Sequence, residues 1–192
     1  IRYSYERAKS ASRELYLVTE KSHAHHVKEL LPELKESNFI IEPARRGTAN
    51  CIVAALAQIG DELKADEPLA FLHADHYVRD TEGFTYTFNI ASKVAQKSGR
   101  IVLVGVEPDH PSTGFGYIQK GEMYDNENFV FSVKSFKEKP DHKTAQQYIN
   151  SGQFLWNCGY FLATNEAFVS AMQKYAPTLF QSYETLKTSK AY

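Results

Sequence analysis

Two hydrophobic rhythms alternate along the first half of this chain. Glu14–Thr19 (ELYLVT), Phe39–Ile41, Leu69–Leu72 and Arg100–Val106 (RIVLVGV) are short apolar runs of the kind buried on both faces of a sheet. Between them lie stretches whose apolar residues return every three or four positions, at 1–12, about 22–34, 48–63, and from Asp80 or Thr81 to Gly99. In the third stretch Ile52, Ala55, Leu56 and Ile59 share a stripe; in the fourth the stripe is Phe84, Phe88, Ala91 and Ala95. Asp80 or Thr81 is placed to cap that last helix, and Gly99 to end it. Four strands alternating with helices predict a parallel sheet of right-handed βαβ units, with Leu69–Leu72 a central strand. The fold class is α/β, a doubly wound, mostly parallel Rossmann-like sheet.

The pattern changes beyond Pro108. Residues 113–119 and 129–138 are β-rich and separated by Asp125-Asn126-Glu127-Asn128, which predicts an antiparallel insertion. Pro140-Asp141 then leads into a helix over about 143–150, ended by Gly152. A strand over 155–162 follows, and Asn165 can cap a closing helix through about Tyr175, before Pro177. With no repeat, low-complexity tract or linker, residues 1–192 are expected to form a single domain with a β-rich antiparallel second half.

Composition narrows the partners. The 22 basic and 23 acidic side chains leave a net charge of -1, so no broad field favours nucleic acid or a membrane surface, and a polyanion must be bound locally. No apolar run approaches the ~20 residues of a membrane span, and no signal-peptide pattern opens the sequence. Cys51 and Cys158 stand apart, without metal or redox spacing, and are expected to be reduced thiols of a cytoplasmic protein. Ile1–Ala8 reads as the interior of an amphipathic helix with no start signal before it, so a fragment of a longer protein is expected.

Several motifs carry candidate chemistry. Asp75 follows the Leu69–Leu72 run in His73-Ala74-Asp75-His76, where a strand's carboxyl end faces the ligand crevice of an open α/β sheet. A carboxylate there can hold a divalent metal against phosphates, or simply cap a turn. Glu42–Cys51 (EPARRGTANC) joins a strand to a helix. Gly47 frees the backbone, Thr48 can cap the helix, and Arg45 and Arg46 beside the helix amino end suit an anion; taken in isolation the stretch reads first as a plain turn with solvated arginines. Gly114 and Gly116 flank Phe115, as needed for close ligand approach or for a bulge. Glu138 lies between Lys137 and Lys139, able to accept from sugar hydroxyls while a lysine pairs with phosphate, or to form an ordinary charged turn. Asn157 beside Trp156 is a pocket contact or a satisfied core amide. His23, His25 and His26 do not converge on a helix as i and i+4 residues do, and no acidic or Cys cluster accompanies them.

Taken in order, Glu42-Pro43 through Arg46-Gly47-Thr48-Ala49, Ala74-Asp75-His76, Thr113-Gly114-Phe115-Gly116-Tyr117-Ile118, Glu138-Lys139-Pro140 and Trp156-Asn157-Cys158-Gly159 resemble the sugar-nucleotide pyrophosphorylases, and among them the mannose-1-phosphate guanylyltransferase family. The resemblance implies a nucleotide-diphospho-sugar transferase fold with a nucleotide-binding half over 1–107 and a sugar-binding half over 108–192. It implies GTP and mannose 1-phosphate as substrates and Mg²⁺ as cofactor. By the same likeness Asp75 is the metal ligand; Glu42, Arg46, Gly47 and Thr48 lie near the guanine and ribose; Gly116, Glu138 and Asn157 contact the sugar; and Lys139 contacts its phosphate, sharing the catalytic role with Asp75.

The sequence departs from the family where Gly47 stands for Asn and Asn50 for Pro. The family's glycine-rich G-x-G-T-R loop and its later second metal-binding Asp are not found in these 192 residues. The chain by itself is therefore expected to bind GTP weakly and to turn over poorly. The alternatives are a related sugar-1-phosphate nucleotidyltransferase with another base or sugar, a metal-dependent glycosyltransferase of similar fold, and a non-catalytic sugar-nucleotide-binding module that regulates a partner. A homo-oligomer is compatible with any of them.

Overall fold

The computed structural model describes residues 1–189. The chain runs α1 (Arg2–Ala11), β1 (Leu17–Glu20), α2 (Ala24–Leu30), β2 (Phe39–Glu42), α3 (Thr48–Ile59), β3 (Pro68–Phe71), α4 (Thr81–Ser98) and β4 (Val102–Val106). It continues through β5 (Gly116–Asp125), β6 (Val130–Lys137), α5 (His142–Ser151), β7 (Phe154–Thr164), α6 (Asn165–Tyr175) and α7 (Pro177–Ser189). Two compact units result: Ile1–Val102 with the chain from Leu162 onward, and Leu103–Phe161.

In the first unit β1 and β2 pair in parallel from Leu17↔Phe39 to Glu20↔Glu42. Helix α3 covers them: Ile40, Ala54, Ala55 and Ile59 form a buried cluster against which Tyr16, Val18, Leu63, Leu69 and Phe71 pack. Val53 and Leu56, each 1 % exposed, complete the apolar side of this helix. Helix α4 begins at Asp80, whose carboxylate accepts from the Gly83 N–H at 2.8 Å, and ends at Gly99 with a left-handed backbone. Its buried residues are Phe84, Phe88, Ala91 and Ala95, the stripe expected from the sequence.

The strand order differs from the one the alternation predicts. β1 and β2 form a two-stranded sheet of their own, whereas β3 and β4 both hydrogen-bond to β7, and β3 ends the order β3-β7-β5-β6 instead of lying centrally. Ala70 of β3 is accordingly exposed. The cause is β7: at 11 residues it is long enough to pair with different strands along its length, a long-range preference that a local apolar run does not encode. The same α3 face packs on Ile40 of β2 and on Leu69 and Phe71 of β3, so the helix spans two sheets.

Several boundaries also differ, among them α2, which ends at Leu30, short of residue 34. Helix α3 stops at Ile59 with Gly60 as its cap, short of Leu63. Helix α6 is capped by Thr164, whose hydroxyl accepts from the Ala167 N–H at 3.2 Å, while Asn165 donates its amide to the Gly60 carbonyl. Beyond Pro177 the chain forms α7, because proline at the first helical position starts a helix as readily as it ends one.

In the second unit β5 pairs antiparallel with β6 and with β7, through Tyr117↔Lys137 and Ile118↔Phe136 on one side and Gly116↔Asn157 to Gln119↔Phe154 on the other. This is the antiparallel second half expected from the sequence. Tyr117, fully buried, donates its hydroxyl to the Ser112 carbonyl at 2.9 Å and so ties down the loop that precedes β5.

Candidate functional site

In the first unit the Asp75 carboxylate is exposed after β3, and among the described residues no hydrogen bond or ion pair occupies it. Its backbone neighbours are held from α1: Ser4 Oγ donates to the Ala74 carbonyl at 2.8 Å, and the Arg7 guanidinium donates to the His76 carbonyl at 3.2 Å. Burial holds the His76 imidazole below its usual pKa, His73 and Arg7 add to this, and Asp75 opposes it. A free hard-oxygen donor fits Mg²⁺, which keeps several waters and takes one or two carboxylates together with substrate phosphates. Among the described residues no cluster of three acidic, His or Cys side chains forms an all-protein cage.

Glu42 ends β2 as a buried carboxylate, 9 % exposed. The Cys51 thiol, one turn into α3, donates to its Oε2 at 3.0 Å. Burial pushes that thiol up to about 11, and the hydrogen bond and charge of Glu42 add to the shift. Between them Arg45, Arg46, Gly47 and Thr48 are exposed. Gly47 adopts φ +86°, a region that glycine enters without strain, and it takes the cap position of α3. Thr48 therefore does not cap this helix, contrary to the sequence expectation; it is the first helical residue, so its hydroxyl cannot bridge back over the end. Among the described residues the amino end thus lacks a side-chain cap, and it follows an exposed turn that carries two arginines, an arrangement that attracts anions.

The second unit brings Gly116, Glu138, Lys139 and Asn157 together. Gly116, the buried first residue of β5, lies opposite Asn157 of β7 in the ladder. A Cβ at Gly116 would sit 2.6 Å from Phe136 Cζ and 2.8 Å from Glu138 Oε2, so the bare glycine lets a ring and a carboxylate close up against the β5 backbone. Lys139 Nζ stands 3.6 Å from Glu138 Oε1, with both side chains more than half exposed, and the Lys139 N–H donates to the Phe115 carbonyl at 3.2 Å. Lys139 also has φ +41°, strained for a non-glycine residue and doubly so before Pro140. Such strain costs on the order of 1–3 kcal/mol and gathers at ligand clamps. Asn157 uses Oδ1 to accept from the Gly159 N–H at 3.1 Å, which leaves its amino group as the donor end. Trp156 packs edge-on against Phe115 and His110 at 5.0 and 4.8 Å.

Four participants escape the sequence motifs: Ser4, Arg7, Phe136, and Cys51 as the partner of Glu42. Phe136 had a signal, because strand alternation puts it on the face of Glu138 two residues later. The Ser4 and Arg7 contacts are long-range, and Cys51, though it ends the Glu42–Cys51 stretch, carries no local sign that it pairs with Glu42. Both cysteines are free thiols, with Cys158 donating to the Val104 carbonyl at 2.9 Å.

An α/β scaffold of this kind, with phosphate-suited groups at strand and helix ends, belongs to the nucleotidyl transferases: the family model for nucleotidyl transferase matches residues 1–189, and the chain is a member of that family. Its relatives are more particular. It is 36% identical over 173 residues to a mannose-1-phosphate guanylyltransferase of Escherichia coli (strain K12), covering 88% of this chain and 36% of that protein. It is 33% identical over 180 residues to mannose-1-phosphate guanylyltransferase RfbM of Salmonella typhimurium, covering 92% and 37%. The crystal structure of a mannose-1-phosphate geranyltransferase from Thermus thermophilus superposes with a TM-score of 0.84 at 26% identity, covering 96% of this chain and 53% of that one. The chain thus spans little more than a third of the length of these curated relatives.

Proposed function

We propose that the whole protein transfers GMP from GTP to mannose 1-phosphate, giving GDP-mannose and pyrophosphate, in the cytoplasm and with Mg²⁺. The observation that carries this reading is the convergence beside Gly116, where the Glu138 carboxylate packed on the bare backbone, the Asn157 amide across the ladder and the strained Lys139 meet. A sugar phosphate needs hydroxyl acceptors, hydroxyl donors and a cation at such a place, and Glu138, Asn157 and Lys139 supply them in turn. The relatives named as mannose-1-phosphate guanylyltransferases support the choice of sugar and base.

The chemistry asks little of the protein beyond placement. A phosphate oxygen of mannose 1-phosphate is already an anionic nucleophile; it forms a bond to the α-phosphorus of GTP while the bond to the β-phosphate oxygen breaks and pyrophosphate leaves. No general base is required for such an attack. Bound Mg²⁺ would neutralise charge on the reacting phosphates. Asp75 would hold it, Glu42 with Arg46, Gly47 and Thr48 would hold the nucleotide within residues 1–107, and Gly116, Glu138, Asn157 and Lys139 would hold the sugar phosphate within 108–192. A related transferase using another sugar or base makes the same demands. Product analysis with GTP, UTP and dTTP against several sugar 1-phosphates separates the two: GDP-mannose as the dominant product supports the proposal, and preference for another pair overturns it.

A further inference from the structure

We propose that Ser4 and Arg7 of α1 are positioning residues for Asp75, acting by clamping the backbone on both sides of it; this rests on the metal-ligand reading of Asp75. Arg7 is 5 % exposed, and among the described residues no carboxylate lies within ion-pair distance of it. A buried guanidinium without a counter-ion is costly, and folds usually avoid one or pair it. Here the charge is met by three other groups. The guanidinium carbon lies 5.1 Å from the ring centroid of Phe84, at the start of α4, and the guanidinium donates to the His76 carbonyl at 3.2 Å and to Ser4 Oγ at 3.3 Å. Ser4 Oγ in turn donates to the Ala74 carbonyl at 2.8 Å.

The two carbonyls so held belong to the residues directly before and after Asp75. The Asp75 side chain is exposed and, among the described residues, has no hydrogen bond of its own, so the backbone sets its aim. A metal ligand must stay within about 0.5 Å of its working position, and an unsupported surface turn does not. One turn of α1 supplies that support, with Ser4 and Arg7 three residues apart on one helix face. Simple packing of α1 on α4 needs neither hydroxyl nor guanidinium; a methionine would meet Phe84 equally well.

The test uses the whole protein with GTP and Mn²⁺ as the probe. Ser4→Ala and Arg7→Lys are compared with wild type and Asp75→Asn in Mn²⁺ affinity by electron paramagnetic resonance, in hydrogen exchange of the amides at 75–77, in melting temperature, and in KM for mannose 1-phosphate. Ser4→Ala is expected to weaken Mn²⁺ about 10-fold and to speed exchange at 75–77, with melting and the sugar KM unchanged; Arg7→Lys weakens it further. Mn²⁺ affinity within twofold of wild type in Ser4→Ala, alongside a loss in Asp75→Asn, overturns the clamp and leaves the metal ligand standing. Wild-type affinity in Asp75→Asn overturns both. If Arg7→Lys loses melting temperature, metal affinity and sugar KM together and Ser4→Ala changes nothing, the role is packing and the inference fails.

Discussion

Gly116 shows how much a single absent side chain can decide. Gly116→Ala would drive a methyl into Phe136 and the Glu138 carboxylate; both are exposed, and Glu138 is the more easily displaced because its contact is the end of a flexible side chain. The expected outcome is a rise in KM for mannose 1-phosphate of about 10-fold or more with GTP KM unchanged, at a stability cost of about 1–3 kcal/mol read from denaturant unfolding. Glu138→Gln keeps the shape and removes the charge, so steady-state kinetics should show weaker use of the sugar phosphate; a change confined to the GTP dependence would place Glu138 elsewhere. Cys51 makes a chemical prediction. With its thiol pushed up to about 11, roughly one molecule in a thousand carries the thiolate at pH 8, and alkylation should be far slower than for an unfolded cysteine. Because the folded-state value lies above the ordinary one, any stability linked to this group is present at neutral pH and falls as pH rises from about 9 to about 11. Cys51→Ser keeps a donor to Glu42 and should preserve GTP KM, whereas Cys51→Ala should raise it.

Among the elements, α4 was fully readable from the sequence because every cue is local: an Asp cap, apolar residues at 84, 88, 91 and 95, and Gly99 in the left-handed region. Asp80→Ala should cost about 1 kcal/mol in thermal unfolding, the usual loss for a cap. α5 was readable for the same reason, with Asp141 accepting from Thr144 and Gly152 closing the helix. β3 was misplaced because apolarity tells that a strand is buried and not which strand it pairs with; long β7 wins that pairing. Thr48 and Asn165 were assigned cap roles that their neighbours Gly47 and Thr164 take, one position away, where the backbone leaves the helix. Leu162 of β7 is fully buried, and Leu162→Ala should cost about 2–5 kcal/mol.

Across the chain, the motifs named polar side chains at strand ends and the turns beyond them, such as Glu42, Asp75, Glu138 and Lys139, and one inside a strand, Asn157 of β7. What they left out are groups that work through others: Phe136 as a wall, Cys51 as a partner, Ser4 and Arg7 as supports from about 70 residues away. A motif marks side chains that face a ligand, and these face the protein. The proposed role of Asp75 in metal-dependent guanylyl transfer is tested by pyrophosphate release from GTP and mannose 1-phosphate in Mg²⁺, measured for the whole protein and its Asp75→Asn variant. Asp75→Asn is expected to lose most of the Mg²⁺-dependent rate while melting like wild type; unchanged turnover with a native melting curve overturns the metal-ligand role.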